Sequence, residues 1–198
     1  MLPDKIVLAS NNAGKLRELS ALLAPLGIEV LPQSAFAVSE AEEPHPSFVE
    51  NALAKARHAA RATGLPALAD DSGLCVDALG GAPGVRSARF GGEPKSDARN
   101  NAHLLEALAG NPARAAHYVC VLVLVRHGDD PQPLIAEGEW HGQILDAPRG
   151  AGGFGYDPLF LVPDQGCTVA ELEAGVKNRI SHRGAAMQQL LARLQGQR

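Results

Sequence analysis

The stretch HYVCVLVLVR, residues 117–126, most narrows what this chain can become. It is a continuous β-branched and apolar run with no polar alternation, and such a run suits a central strand buried on both faces. Segments able to cover such a strand occur on either side of it. KIVLAS (5–10) reads as another buried strand, and GKLRELSALLAPLG (14–27) carries Leu16, Leu19, Leu22, Leu23 and Leu26 at helical spacing until Gly27 stops it. IEVLP (28–32) reads as a strand, and AVSEAEEPHP (37–46) is an acidic, proline-bearing loop. SFVENALAKARHAARATG (47–64) predicts a helix of about four turns, because Ser47 is placed as an N-cap with Glu50 three residues on, the capping-box pattern.

PALADDSGLCVDALGGAPGV (66–85) predicts a short strand, a polar corner and then glycine turns, and SDARNNAHLLEALAG (96–110) a capped helix ending at Gly110. LIAEGEWHGQIL (134–145) alternates apolar and polar and is expected to pair with 117–126. GAGGFGYDPLFLVP (150–163) is a glycine-rich turn leading into a strand, and ISHRGAAMQQLLARL (180–194) is a helix. No repeat, low-complexity tract or linker interrupts this order. The expectation is one α/β domain over 1–198 with a central mixed β-sheet.

Composition removes several function classes. With 45% hydrophobic residues over 198 positions the chain can bury a sizeable core. No apolar run approaches the roughly 20 residues of a bilayer span, and MLPDKIVLAS lacks the basic start of a cleaved leader. Cys75, Cys120 and Cys167 are distant and odd in number, which fits reduced thiols acting as small core hydrophobes. The expectation is a soluble, cytoplasmic protein with no membrane partner. A net charge of -4 and the absence of a basic stripe argue against a nucleic-acid partner. Any anionic ligand must be met locally, and only five of the eighteen basic residues are lysines.

Four places carry the residue types for such chemistry. SNNAGK, Ser10 to Lys15, joins a strand's end to a helix's first turn, where backbone N–H groups and the helix dipole attract anions and Lys15 adds a mobile charge. It is no P-loop, since Leu16 follows Lys15 and Ala9 stands where glycine would be required. The pair Asp70–Asp71, followed by Ser72, is expected at a strand-to-loop corner, and adjacent carboxylates repel unless a cation or donors satisfy them. One can face a metal while the other supports the turn, and magnesium suits oxygen ligands of this kind. Glu40, Glu42 and Glu43 add carboxylates from the preceding loop, which alone would read as a solvated face.

Asn51 and Lys55, four apart, share a helix face and can aim an amide and an ammonium at phosphate. In GGFGYDP the glycines allow backbone close to a ligand. Phe154 and Tyr156 offer either base-stacking surface or core, and Asp157 either accepts from a base edge or holds the loop. KNRISHRG brings Lys177, His182 and Arg183 together at a helix start, where anions or carbonyl oxygens bind. His58, His103, His117, His127 and His141 show no metal-ligand spacing.

These motifs, from LASNNAGKLREL through FVENALAKARHAA, PALADDSGLCVDALGGAPGVRSARF and GGFGYDPLF to ISHRGAA, resemble the Ham1-like purine nucleoside triphosphate pyrophosphatases, also called inosine triphosphatases or dITP/XTP pyrophosphatases. The resemblance covers nearly the whole chain. It implies an elongated α/β domain with two lobes flanking a nucleotide-binding cleft, usually a homodimer. It also implies magnesium-dependent cleavage of a nucleoside triphosphate substrate to monophosphate and pyrophosphate.

Carried over by motif, Ser10, Asn11, Asn12, Ala13, Gly14 and Lys15 form the phosphate-binding turn, with Lys55 a second phosphate ligand. Asp71 is the residue of metal binding and proton acceptance, with Asp70 beside it, and Glu43 (Glu42 being nearly as eligible) adds a metal contact. Ser72 matches a substrate contact, Phe154, Gly155, Tyr156 and Asp157 the base-binding loop, and Lys177, His182 and Arg183 the remaining base and phosphate contacts. The one departure is Ser10, where threonine is commoner, and the hydroxyl is kept. The rivals are a Maf-like nucleotide pyrophosphatase, separated by substrate profile, and a nucleotide sensor that binds without turnover.

Overall fold

The run at 117–126 forms β4 (Ala115–Val125), and every residue from Cys120 to Val125 is buried, as its composition demands. A computed structural model describes residues 3–195. The expected domain also includes Met1, Leu2, Gly196, Gln197 and Arg198, which lie outside the described residues. The other strands are β1 (Lys5–Leu8), β2 (Glu29–Pro32), β3 (Ala67–Val76), β5 (Leu134–Ile144), β6 (Phe160–Val162) and β7 (Cys167–Thr168). They form one seven-stranded sheet in the order β2-β1-β3-β4-β5-β6-β7, which puts β4 in the middle. β1 is parallel to β2 and β3, whereas β6 is antiparallel to β5 and β7, so the sheet is mixed as expected.

The described chain divides into two compact units. The first holds residues 3–71, Cys120–Gly138 and 183–195, and the second Ser72–Val119 and Glu139–His182. In the first, Ile6 and Leu8 of β1, Leu68 of β3 and Cys120, Leu122 and Leu124 of β4 pack with Leu19 and Leu23 of α1 (Ala13–Leu23) and Ala186, Met187 and Leu190 of α5 (His182–Gln195). These are alternate strand positions, so α1 and α5 cover one face. The intervening Val7, Ala69, Val121 and Val123 are also buried, and α2 (Phe48–Thr63) packs on β1 with Ala52, Ala56, Ala59 and Ala60 almost wholly enclosed. Burying one Leu or Ile contributes about 1.5–3 kcal/mol, so a one-residue slip of β3, which would turn Leu68 away from its cluster, is strongly disfavoured. The same register decides which face each aspartate takes.

The helix ends obey local rules, with one difference. Asn12 caps α1, and the chain turns after Leu23 through a 3-10 segment bearing Pro25 to Gly27, at φ 72°. Ser47 caps α2 by accepting from the Glu50 N–H, but the Glu50 carboxylate takes the Ser47 hydroxyl hydrogen at 2.5 Å, so the capping box is not reciprocal through the backbone. In the second unit, α3 (Asp97–Ala107) is capped by Ser96 and ends before Gly110, and α4 (Ala174–Ile180) is a short helix the sequence pattern does not announce. Leu74, Val76, Leu104, Tyr118, Trp140 and Phe160 anchor that unit's core. No helix among the described residues is long and apolar enough to cross a membrane.

Candidate active site

The acidic pair is not at a corner. β3 runs ten residues straight through Asp70, Asp71 and Ser72, because cations brought in by the helices neutralise carboxylates that would otherwise break a buried strand. Strand alternation sends the two side chains to opposite faces. On the α1/α5 side Asp70 is fully buried, with Lys15 Nζ 2.5 Å from Oδ1 and Arg183 Nε 2.6 Å from Oδ2. The Cys120 thiol donates to Oδ2 at 3.5 Å, and Arg183 Nη1 continues to Glu18. Burial alone would raise the Asp70 pKa, but Arg183 and then Lys15 outweigh it and hold the carboxyl well below the usual carboxylate range. Burial pushes the Cys120 thiol far up, so it is a neutral core group.

Across the strand Asp71 is also buried but differently served. Its Oδ1 accepts from Lys55 Nζ at 2.7 Å, and the same ammonium donates to Glu43 Oε1 at 2.9 Å and to the Asp70 main-chain oxygen at 3.0 Å. All three hydrogens of Lys55 are thus engaged. Asp71 Oδ2 is buried with no hydrogen-bond partner. Burial raises the Asp71 pKa above its ordinary value, and Lys55 offsets this only in part. For Lys55, burial acts downward, while Asp71 and then Glu43 prevail and keep it raised, hence charged. Glu43 is the acidic-loop residue that reaches Lys55.

The 10–15 turn is more internally satisfied than an open anion site. Ser10 Oγ accepts from Asn12 N at 3.1 Å, and Asn12 Oδ1 accepts from Gly14 N at 2.8 Å and Lys15 N at 3.1 Å. Asn11 Nδ2 donates to Glu40 Oε1 at 3.2 Å, while Ala13 opens α1. Lys15 is not mobile: besides the Asp70 carboxylate, its Nζ donates to the Asp70 main-chain oxygen at 3.2 Å. Asn51 does not aim its amide at a ligand. It clips the acidic loop at both polar groups of His45, at 3.0 and 3.1 Å.

The second unit holds the remaining candidates. Asp157 holds its own loop: Oδ2 accepts from Phe154 N at 3.0 Å and Lys177 Nζ at 2.7 Å, and Oδ1 from the Tyr118 hydroxyl at 3.3 Å. A Cβ at Gly153 would sit 2.0 Å from Asp157 Oδ2, and φ there is +74°, so this glycine makes room for the carboxylate. Gly155 donates its N–H to Asp97 Oδ2 at 2.7 Å and accepts at its carbonyl from Asn101 Nδ2 at 2.8 Å. Tyr156, for which the sequence leaves base surface and core both open, is 4% exposed and donates its hydroxyl to the Ser87 carbonyl at 2.8 Å, which makes it core. Phe154 stays half-buried, with Lys177 Nζ 4.6 Å from its ring centroid. Ser72 is half-buried on β3.

Lys177, His182 and Arg183 do not share one helix start. Lys177 lies in the last turn of α4, while His182 and Arg183 open α5. His182 stacks on Tyr118, ring centroids 4.7 Å apart and 11° between planes. Arg183 is 2% exposed, its Nε and Nη1 committed to Asp70 and Glu18. Glu18, Tyr118, Asp97 and Asn101 escape a sequence reading; the available signals are that Glu18 falls three residues after Lys15 and Asn101 four after Asp97, each pair on one helix face.

The model of the Ham1 family matches residues 6–193. This chain belongs to the Ham1 family. A dITP/XTP pyrophosphatase of Aromatoleum aromaticum is 73% identical over 190 residues, covering 96% of each chain. One of Ralstonia nicotianae is 66% identical over 193 residues with the same coverage. Among solved structures, a HAM1 protein from Coxiella burnetii superposes with TM-score 0.90 at 51% identity, over 99% of this chain and 100% of that one. The Staphylococcus aureus Ham1 protein gives 0.87 at 40% identity, over 98% and 100%. These likenesses extend through both units.

Proposed function

We propose that this Ham1 family member is a nucleoside triphosphate pyrophosphatase that converts dITP, XTP and ITP to the monophosphate and pyrophosphate, clearing deaminated purines before they enter DNA or RNA. The names of its relatives support the reaction. The observation that carries it is the division between the aspartates: Asp70 is saturated by Lys15 and Arg183, whereas Asp71 is held by one oxygen and keeps Oδ2 buried and unpartnered. A buried carboxyl oxygen without a hydrogen-bond partner fits a site completed by a cation or by the attacking water.

A divalent ion suits this donor set. Asp71 and Glu43 sit on the same ammonium, and Mg2+ is commonly bound by one or two carboxylates with substrate phosphates completing the shell. Bound there, Mg2+ would neutralise phosphate charge as it spreads in the transition state. The chain's own residues supply the rest. Asp71 Oδ2 orients a water molecule and takes its proton as the water oxygen bonds to phosphorus and the α–β bridge breaks. Lys15, whose Nζ has two contacts, both to Asp70, turns its third hydrogen to a phosphate oxygen, with Ser10, Asn11, Asn12, Ala13 and Gly14 shaping the turn. Lys55 holds both carboxylates in place, and reaches phosphate only by giving up one of its three contacts.

Phe154 stacks on the purine. Donors meeting the 6-oxo edge accept hypoxanthine and xanthine and oppose adenine's 6-amino group, a mismatch worth about 1–3 kcal/mol per buried donor, while guanine, which shares the 6-oxo group, is rejected at its 2-amino group by shape or an unmatched donor. By the same family resemblance the enzyme is a homodimer, and its free cysteines suit the cytoplasm. The test is a coupled assay with Mg2+ that scores pyrophosphate separately from orthophosphate for dITP, ITP, XTP, ATP and GTP. Rapid pyrophosphate release from the first three, with slow release from ATP and GTP, is the expected result. Orthophosphate instead, or tight binding without turnover, contradicts it.

A further inference from the structure

The glycine loop is clamped by a helix that the reaction above does not use. α3 presents Asp97 in its first turn and Asn101 one turn later, and the two grip opposite ends of a single residue. Asp97 Oδ2 accepts from Gly155 N at 2.7 Å, and Asn101 Nδ2 donates to Gly155 O at 2.8 Å while its other hydrogen goes to the Asp97 carbonyl, also at 2.8 Å. Both amide hydrogens of Asn101 are therefore assigned, which settles the orientation of its side chain.

The clamped residue needs it. Gly155 has φ +64°, a conformation that side-chain-bearing residues rarely adopt, and a Cβ there would meet nothing within 4 Å, so crowding on that face does not hold the loop in place. Hydrogen bonds do so instead, and they come from a rigid element. Asn100, between the two clamp residues, accepts from Gly91 N at 2.7 Å and donates to Ala88 O at 3.1 Å. It ties α3 to the turn whose Ser87 carbonyl receives the Tyr156 hydroxyl. Phe154 is thus fixed from one side by Asp157 on its N–H and from the other through the Gly155 clamp.

We propose that Asp97 and Asn101 are positioning residues for the purine: by holding Gly155 at both peptide groups they set the plane of Phe154 and so the affinity for the base, without touching the phosphates. The inference rests on the base-binding role proposed for the 154–157 loop. It predicts a separation of kinetic constants. Losing either hydrogen bond loosens the loop before the base binds, and binding must then restore the order, which raises KM for dITP about tenfold. Chemistry on the phosphates is untouched, so kcat stays within about twofold.

The experiment measures kcat and KM for dITP, with the thermal midpoint, for wild type, Phe154→Ala, Asp97→Ala, Asp97→Asn and Asn101→Ala. Asp97→Asn keeps an acceptor for Gly155 N–H and is expected within about threefold of the wild-type KM, while both alanine variants show the tenfold rise. A lowered midpoint and kcat with unchanged KM would mean that α3 only stabilises the unit, and the inference fails. So does an Asp97→Asn variant as impaired as Asp97→Ala. If Phe154→Ala itself leaves KM unchanged, the base-binding reading is what has failed. If Phe154→Ala raises KM and both clamp alanines do not, only the clamp is wrong.

Discussion

The two sides of β3 at its acidic pair are one residue apart in sequence and opposite in design. On the α1/α5 side, Asp70 is enclosed by Lys15, Arg183 and Cys120, and Arg183 is braced again by Glu18. On the other, Asp71 shares one ammonium with Glu43 and leaves an oxygen unpaired. The same chemical group therefore has its pKa driven down on one face and up on the other. A saturated carboxylate makes a brace, and an under-satisfied one is available for chemistry. A buried ion network is weak evidence of stability in itself, but removing one member leaves the others uncompensated, which makes the difference measurable.

The largest effect is expected at Asp71. Asp71→Asn should lower kcat for pyrophosphate release by roughly 10²–10⁴, with circular dichroism and the urea midpoint little changed. Retained activity would abolish the contrast. Asp70→Asn should do the reverse, leaving Arg183 buried beside a neutral amide at a cost of about 3–5 kcal/mol, read as a drop of about 6–20 °C in Tm. A shift below about 2 °C would mean that the brace contributes little to stability. Phe154→Ala should raise KM for dITP about tenfold through lost stacking, with kcat nearly constant; a changed kcat would place the ring near the chemistry. Smallest is Glu18→Gln, which keeps a hydrogen bond to Arg183 and should cost about 1 kcal/mol in chemical denaturation. An effect as large as that of Asp70→Asn would move the brace's centre from Asp70 to Arg183.

Much of this was legible in the sequence where local rules act alone. The apolar run of β4, the Ser47 and Ser96 caps and Gly27 and Gly64 at helix ends need only neighbouring residues to be read. What escaped depends on partners far along the chain. ALADDSG looks like a corner because two aspartates rarely occupy the interior of a buried strand, and only Lys15, Lys55 and Arg183, supplied by three separate helices, make that possible. Arg183 reads as a ligand contact, and nothing local announces that its guanidinium also braces Asp70, 113 positions away. Tyr156 and Asp157 each had two open readings, and burial chose core for the first and loop support for the second. The seven-residue α4 has too short a pattern to stand out, so in the sequence Lys177 looks like part of the start of α5.

The most direct test of the division between the aspartates needs only the wild-type enzyme, followed through acid titration by kcat/KM for pyrophosphate release from dITP, which reports the free enzyme, and by circular dichroism. Asp70, with its pKa depressed below the unfolded value of about 3.9, contributes stability that is fully present above that value and lost only as pH falls toward its folded pKa. Asp71, with its pKa raised by burial, loses its ionised form as pH falls through a value above its ordinary one. The account predicts a window in which the protein is still folded but has lost activity, reversibly on return to neutral pH. Activity and fold disappearing together at one pH would contradict it.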